Sequence, residues 1–530
     1  MGTWLSRAIV VGVIGVSALG ASLTATPRAV AAEGMDVRSD STYVVDVVGG
    51  AIHGTITQSV THNLPDRAVP GGIEYTYLDM LSIPIAASST NVVATSGGGA
   101  LTVRTVPDDD PSVAQAEVTL PSRLRYGQSV EVVLTFDLVG SAPRSADRTR
   151  VGADYASFGV YAFGDDGQTS VTITAPAGWT ADATSSAFEM GSNGDQTTLT
   201  ATTNTAPFGI FAEISLRNPD TPTVPLTVGA SEFVLNPWPG DTAWQEFVST
   251  GMSDGLPVLE GLIGHPWPID ATTTVREDAA TGVLGYDGWF DLGRHEVTLA
   301  EELDAHVLYH ELAHAWLSEN TFSSRWIGEG FAEYVAARTT DQLGLEGFPA
   351  QEVSRSGEDA VALDDWGDSP TGRATATDDY AYPASRQVVV TMLAGLSDDQ
   401  VTEVLSAAAT GQTAYLTQDA GEVERLSSRQ VLDLVQNQGQ GTDVESLFVT
   451  WVFDDDTASL LAPRAAARTD YAALDTADGD WLPPQAVRLP MARWDFAAAE
   501  ARMAEFKPVV TEVVAVQNAA TVGGIPVPAA

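Results

Sequence analysis

Through the first part of the chain apolar residues recur at every second position, and further on they recur at helical spacing. From about Ser41 to Leu216, alternating runs are separated by Gly, Pro, Asp and Ser turns. In the clearest run, Val130, Val132, Leu134, Phe136 and Leu138 share one face, and Glu131, Thr135 and Asp137 share the other. Thr42 to Val48 and Val171 to Ala175 repeat the pattern. Residues 33–220 therefore read as an antiparallel β domain of sandwich or saddle type. Asn218-Pro219-Asp220-Thr221-Pro222 marks a linker. Strands and helices then mix over 221–345, and helical spacing prevails over 346–505. The latter includes a polar, Gly-containing stretch from Ser354 to Thr377 that is expected over a cleft. Residues 506–530, with Glu512, Asn518, Pro526 and Pro528, read as a loose tail. No repeat of fixed period is present. The predicted class is a multidomain α+β chain with a helical C-terminal region.

The first residues change the picture of where the chain works. Arg7 is followed by an apolar run from Ala8 to about Leu23 and by Ala29-Val30-Ala31, a small-residue cleavage signal. Residues 1–32 therefore read as a secretory signal peptide. The run is shorter than the roughly 20 residues of a membrane span. A secreted or cell-envelope protein is expected, with no stable membrane span after cleavage. The chain has no cysteine, which excludes a disulfide framework and any thiolate ligand or nucleophile. Its formal net charge of −44, with Lys507 as its one lysine, opposes nucleic acid or an anionic membrane as partner. The Ala, Val, Asp, Thr and Arg bias points to a high-GC bacterial source. The runs Asp108 to Asp110 and Asp454 to Asp456 read as solvated loop charge rather than calcium sites.

Candidate chemistry concentrates in Tyr309-His310-Glu311-Leu312-Ala313-His314-Ala315-Trp316, which holds two of the chain's seven histidines. Residues four apart lie on one face of a helix, so His310 and His314 can hold one metal ion from the same side. Glu311 then reaches a water activated by that metal without being a ligand, as in the H-E-x-x-H of zinc metallopeptidases. Leu303, Val307, His310 and His314 share one stripe, and no Gly or Pro interrupts Glu301 to Asn320, so a helix is expected there. A packed amphipathic helix with satisfied histidines would share this pattern, so a third ligand decides.

Downstream, Arg325 to Ala337 reads R-W-I-G-E-G-F-A-E-Y-V-A-A. W-I-G-E-G-F-A-E-Y resembles the W-L-x-E-G-F-A-x-Y element of gluzincin zinc peptidases, a group that includes the aminopeptidase N-like and peptidase MA-like proteins. H-E-L-A-H-A-W likewise resembles their H-E-x-x-H-Q-W, with Trp316 at the matching place. The resemblance implies a thermolysin-like zinc peptidase domain, with His310, His314 and Glu329 as zinc ligands and Glu311 as general base and acid. The loop between the motifs is shorter than in the aminopeptidases, whose usual spacing would select Glu333 as third ligand instead. A surface loop tolerates deletion, which favours Glu329 and leaves Glu333 to orient a ligand.

The resemblance also implies a strand before the helix, at Thr281 to Leu292, that pairs with substrate backbone. The G-A-M-E-N of the aminopeptidases is absent there, and Asp287 is the nearest acid. Exopeptidase and endopeptidase action both stay open. In related enzymes a tyrosine at the start of a later helix stabilises the oxyanion. Tyr382 is the best match and Tyr380 the alternative, on a helix expected to open over Asp379 to Ser385 with Pro383 in its first turn and to run to about Leu396. Val431 to Phe453 resembles a helix pair late in such modules, with Leu447, Phe448 and Trp451 expected in the core. His306 reads as a capped or core histidine, and His53, His62, His265 and His295 have no ligand spacing. The expected activity is zinc-dependent hydrolysis of a peptide or protein substrate. The competing expectation is a non-catalytic envelope binding protein whose zinc site is structural or vestigial.

Overall fold

The computed structural model describes residues 34–70, 72–108, 112–205, 208–279, 281, 286–349, 351, 353–368, 374–416, 425–438, 444–478 and 482–526. The expected signal peptide, its cleavage signal and part of the Thr281 to Leu292 segment lie outside those residues. Among the described residues, no helix is long and apolar enough to cross a membrane.

The N-terminal part is β-rich. An eight-stranded sheet runs, in spatial order, through Glu189–Ser192, Gln196–Ala201, Thr169–Pro176, Met35–Asp46, Ala51–His62, Ser129–Val139, Ser89–Ser96 and Gly99–Leu101. In the Ser129–Val139 strand, Val132, Leu134, Phe136 and Leu138 are buried and Val130 is half-buried, as period-2 alternation demands. A four-stranded and a three-stranded sheet share the same core. Tyr43 of the large sheet meets Phe158 of the four-stranded sheet with ring centroids 5.8 Å apart. One pairing departs from the antiparallel expectation. Met35–Asp46 runs parallel to Thr169–Pro176, with Ser41 opposite Val171. Alternation within each strand reports which face is buried and carries no information on the direction of a partner so far away in sequence.

The second core is built on a mixed five-stranded sheet ordered Val224–Val228, Ser231–Asn236, Thr273–Glu277, Glu296–Leu299 and Gly288–Asp291. The parallel pair Ser231–Asn236 and Thr273–Glu277 is joined by the helix Thr242–Ile263. The Asp241 carboxylate accepts the Trp244 N–H to start that helix, and Gly264 at φ +82° ends it. Among the described residues, Gly288–Asp291 is the last strand of the sheet and pairs only with Glu296–Leu299. The helices that follow belong to the same core up to Val510.

A buried ion pair joins the β-rich part to the site-bearing part. Arg150 donates to both carboxylate oxygens of Glu301, at 2.8 and 2.7 Å, with the two residues 1% and 4% exposed. The Trp238 indole N–H and the Arg144 backbone N–H also donate to Glu301. Every lone pair that Glu301 offers is thus engaged just before the histidine helix begins.

Three helical expectations are corrected. The histidine helix is only Ala305–Ala313, and the chain turns at His314. Apolar spacing continues past that point because Trp316 and Leu317 remain buried in the turn. The tyrosine helix is Ala376–Leu393, so Pro383 lies inside it rather than in its first turn. A reciprocal cap between Thr375 and Asp378 sets the earlier start. Of the supposed loose tail, residues 506–522 belong to a helix, Phe496–Val522, whose Ala- and Val-rich interior carries Pro508.

Candidate metal centre

Asp304 starts the histidine helix by accepting the N–H groups of His306 and Val307. Leu308, Tyr309, Leu312 and Ala313 are buried, which fixes the rotation of the helix and turns His310 and Glu311 to the site. His314 caps the helix, and its Nδ1 lies 2.9 Å from the Leu317 carbonyl. A carbonyl only accepts, so Nδ1 carries the proton and Nε2 of the neutral ring keeps its lone pair.

The helix Arg325–Gln342 supplies the carboxylate. Trp326, Ile327, Phe331, Ala332 and Val335 are buried and leave Glu329 facing the histidines. Gly330 lets this helix approach Ala376–Leu393: a Cβ there would stand 3.0 Å from the Ser385 carbonyl oxygen and 2.8 Å from Val389 Cγ2. Packing explains the glycine of E-G-F-A without any role in chemistry.

His310 Nε2 lies 3.2 Å from His314 Nε2 and 3.2 Å from Glu329 Oε2, and His314 Nε2 lies 3.5 Å from that same oxygen. Ligand atoms about 2.1 Å from a tetrahedral zinc stand about 3.4 Å apart. The triangle therefore has the size of one face of a zinc tetrahedron, and it leaves the fourth corner open. Its His, His, carboxylate donor set suits zinc. Among the described residues it is the one group of three His or carboxylate ligands close enough to share an ion.

Charge within the triangle is mutually compensating. Burial opposes an ionised Glu329, but the His314 and His310 imidazoles outweigh it and hold the carboxyl well below the usual carboxylate range. Burial likewise opposes a charged His310, and the carboxylates of Glu329, Glu311 and Glu333 outweigh it, raising His310 to about 9. Glu311 is 6% exposed, and burial pushes its carboxyl up against the pull of His310 and His314. Its side chain lies against the edge strand: a Cβ on Gly288 would stand 2.9 Å from Glu311 Cγ and 3.2 Å from Oε1.

Glu333 is placed outside the triangle. It accepts from His306 Nε2 at 2.7 Å and lies 3.8 Å from His310 Nδ1. His306 is 1% exposed and stacks on Phe348, as expected of a core histidine. Asp287 is exposed at the edge of the site, and partial desolvation raises its carboxyl, with Glu302 and Asp304 adding to the rise. Of the two tyrosines, Tyr382 is tied to the site. Its hydroxyl oxygen accepts from Arg325 at 2.9 Å, and its phenol is pushed well above the ordinary value by burial and then by Glu329. Tyr380 is 8% exposed, and its hydroxyl has no partner among the described residues. Phe448 is fully buried, and Leu447 and Trp451 pack against the core.

Arg325 is the residue that sequence reading missed. It sits one turn before Glu329, with Nε 3.7 Å from Glu329 Oε1. It stacks on Trp366 at 4.2 Å from the ring centroid and shares a side-chain hydrogen bond with Tyr286. The four-residue step to Glu329 was visible in R-W-I-G-E, but its partners come from distant segments.

No protein-family model matches the chain, and no curated protein matches it. Solved structures do show a likeness. An M1 zinc metallopeptidase from Deinococcus radiodurans is 19% identical, with 79% of this chain and 94% of that chain covered and a TM-score of 0.32. A variant of a two-domain M1 zinc metallopeptidase bound to L-arginine is 18% identical over the same shares, with a TM-score of 0.32. A Deinococcus radiodurans variant bound to a Tyr-Ser-Ala substrate is 19% identical, again over the same shares, with a TM-score of 0.30. At those scores the likeness adds nothing to what the site's own geometry says.

Proposed function

We propose that the chain is an exported zinc-dependent peptidase, in which His310, His314 and Glu329 bind the metal in the manner of gluzincins. The observation that carries this reading is the triangle of two imidazole nitrogens and one carboxylate oxygen at tetrahedral spacing, with a buried carboxylate, Glu311, beside it. Zinc bound there supplies Lewis acidity and makes water a nucleophile near pH 7. Three protein ligands leave a position for that water, which suits a catalytic rather than a closed structural site.

The protein's own groups then divide the work. Glu311 takes the proton from the attacking water and passes it to the leaving amine, which its raised pKa suits. Tyr382 donates its hydroxyl proton to the carbonyl oxygen as negative charge develops. The edge strand Gly288–Asp291 offers backbone groups to an extended peptide, so that the scissile carbonyl passes Glu311. Glu333 holds the His306 and His310 side of the site and orients a ligand.

Metal analysis of protein purified without a histidine tag tests the assignment. Glu329→Ala should lose zinc, whereas Glu333→Ala should keep it with affinity weakened about 10- to 100-fold. Full zinc in Glu329→Ala together with none in Glu333→Ala would mean that the third ligand is Glu333.

A further inference from the structure

Four side chains from two helices form a frame around the metal triangle. Arg325 and Glu329 stand four apart on one helix, and Asp378 and Tyr382 stand four apart on the other, so each pair shares a face. The Arg325 guanidinium spans the gap. One terminal nitrogen donates to Asp378 Oδ1 at 2.9 Å and to the Gly367 carbonyl at 3.3 Å, and the other donates to the Tyr382 hydroxyl at 2.9 Å. Its Nε faces Glu329 Oε1 at 3.7 Å and Asp368 Oδ1 at 3.8 Å.

The anchor of the frame is rigid. Asp378 is 3% exposed and accepts from the Trp366 indole at 2.9 Å and from the backbone and hydroxyl of Thr375 at 2.7 Å each. The carboxylate that caps the tyrosine helix is thus the one that grips Arg325. Trp366 stacks on the guanidinium and packs edge-on against the Tyr382 ring, with centroids 4.9 Å apart. With its terminal nitrogens taken up this way, Arg325 has no free fork to offer a substrate carboxylate.

A guanidinium has five donors and no acceptor, and a phenol has one proton. Towards Arg325, the Tyr382 oxygen can only accept. Its single O–H proton therefore points elsewhere, and no described residue takes it. We propose that Arg325 is a positioning residue: it occupies a lone pair of the Tyr382 hydroxyl and aims that group's proton at the substrate oxygen beside Glu329. The proposal rests on the peptidase reading above. A residue that only braced the fold would give the same loss whether or not the Tyr382 hydroxyl is present, and a positioning residue would not.

The experiment is a double-mutant cycle on a blocked peptide, with kcat, KM, zinc content and thermal unfolding measured on each full-length variant. Tyr382→Phe should lower kcat about 10²- to 10³-fold, with zinc retained. Arg325→Gln should lower kcat at least tenfold in the presence of Tyr382, but less than about threefold in the Tyr382→Phe background, with KM and zinc little changed. Arg325→Lys guards against loss of folding. It keeps a charge against Asp378 but lacks the second arm, and so should also lose kcat at least tenfold with zinc and unfolding temperature retained. Equal losses in the two backgrounds, or full activity of Arg325→Lys, overturn the proposal. Full activity of Tyr382→Phe overturns it too, while leaving the zinc site and Glu311 standing. Full activity of Glu311→Gln, measured alongside, would instead remove the peptidase mechanism itself.

Discussion

Gly288→Ala is a one-carbon test of where Glu311 must stand. The added Cβ would lie 2.9 Å from Glu311 Cγ, 3.2 Å from its Oε1 and 3.0 Å from the backbone oxygen of Thr298. Thr298 belongs to the neighbouring strand and is paired with Trp289, so the edge strand cannot retreat in that direction. Ordinary carbon–carbon contact begins at about 3.5 Å, so Cγ has to move by roughly 3.5 − 2.9 = 0.6 Å. Displacing a reacting group by about 1 Å costs about 10²-fold. A shift of roughly 0.6 Å should therefore cost about tenfold in kcat, or about 1.4 kcal/mol. The three atoms nearest that Cβ belong to Glu311 and Thr298 and none to a proposed ligand, so zinc per chain should be unchanged. The assay is kcat on a blocked peptide, with zinc measured on the same sample. Gly293→Ala is the control, because its Cβ would meet only the Asp291 carboxylate, at 3.3 Å. An unchanged kcat in Gly288→Ala at full zinc occupancy would refute the position given to Glu311.

Two further predictions concern protons and stability. His310 is raised to about 9 against an ordinary value near 6.5, so in protein stripped of metal its charge stabilises the fold fully below about pH 6.5, and that contribution is lost as pH rises through about 9. Denaturant unfolding of stripped protein should show this fall. Zinc must also displace that proton, so affinity should rise with pH up to about 9, and calorimetry in buffers of different ionisation enthalpy should show proton release at pH 7.5. A pH-independent affinity would contradict it. Arg150→Met leaves the Glu301 carboxylate buried without its cation and should cost about 3–5 kcal/mol of stability, read by unfolding; a loss under about 1 kcal/mol would show that the junction relaxes freely.

What the sequence revealed and what it hid follow from the range of each signal. His310, Glu311 and His314 were legible because helical spacing is local, and Val130 to Leu138 because alternation is local. Glu329 was legible through its motif, and its four-residue offset from Glu333 kept both open. The structure places Glu329 at the histidine Nε2 atoms and Glu333 at His306. The parallel pairing of Met35–Asp46 with Thr169–Pro176 was hidden because its partners are distant in sequence. The start of the tyrosine helix was missed because Pro383 drew the boundary forward, whereas Thr375 and Asp378 set it upstream. Arg325 and Gly288 were silent for a related reason. Their meaning comes from Asp378, Tyr382 and Glu311, which approach them only after folding.

The decisive comparison is between untagged wild-type protein and Glu311→Gln, each measured for zinc per chain and for hydrolysis of a peptide. Glutamine preserves the shape of Glu311 but cannot carry its proton. Both proteins should hold about one zinc per chain, and Glu311→Gln should lose hydrolysis by orders of magnitude. Wild-type protein without zinc, or Glu311→Gln turning over at the wild-type rate, would contradict a zinc peptidase centred on His310, His314 and Glu329.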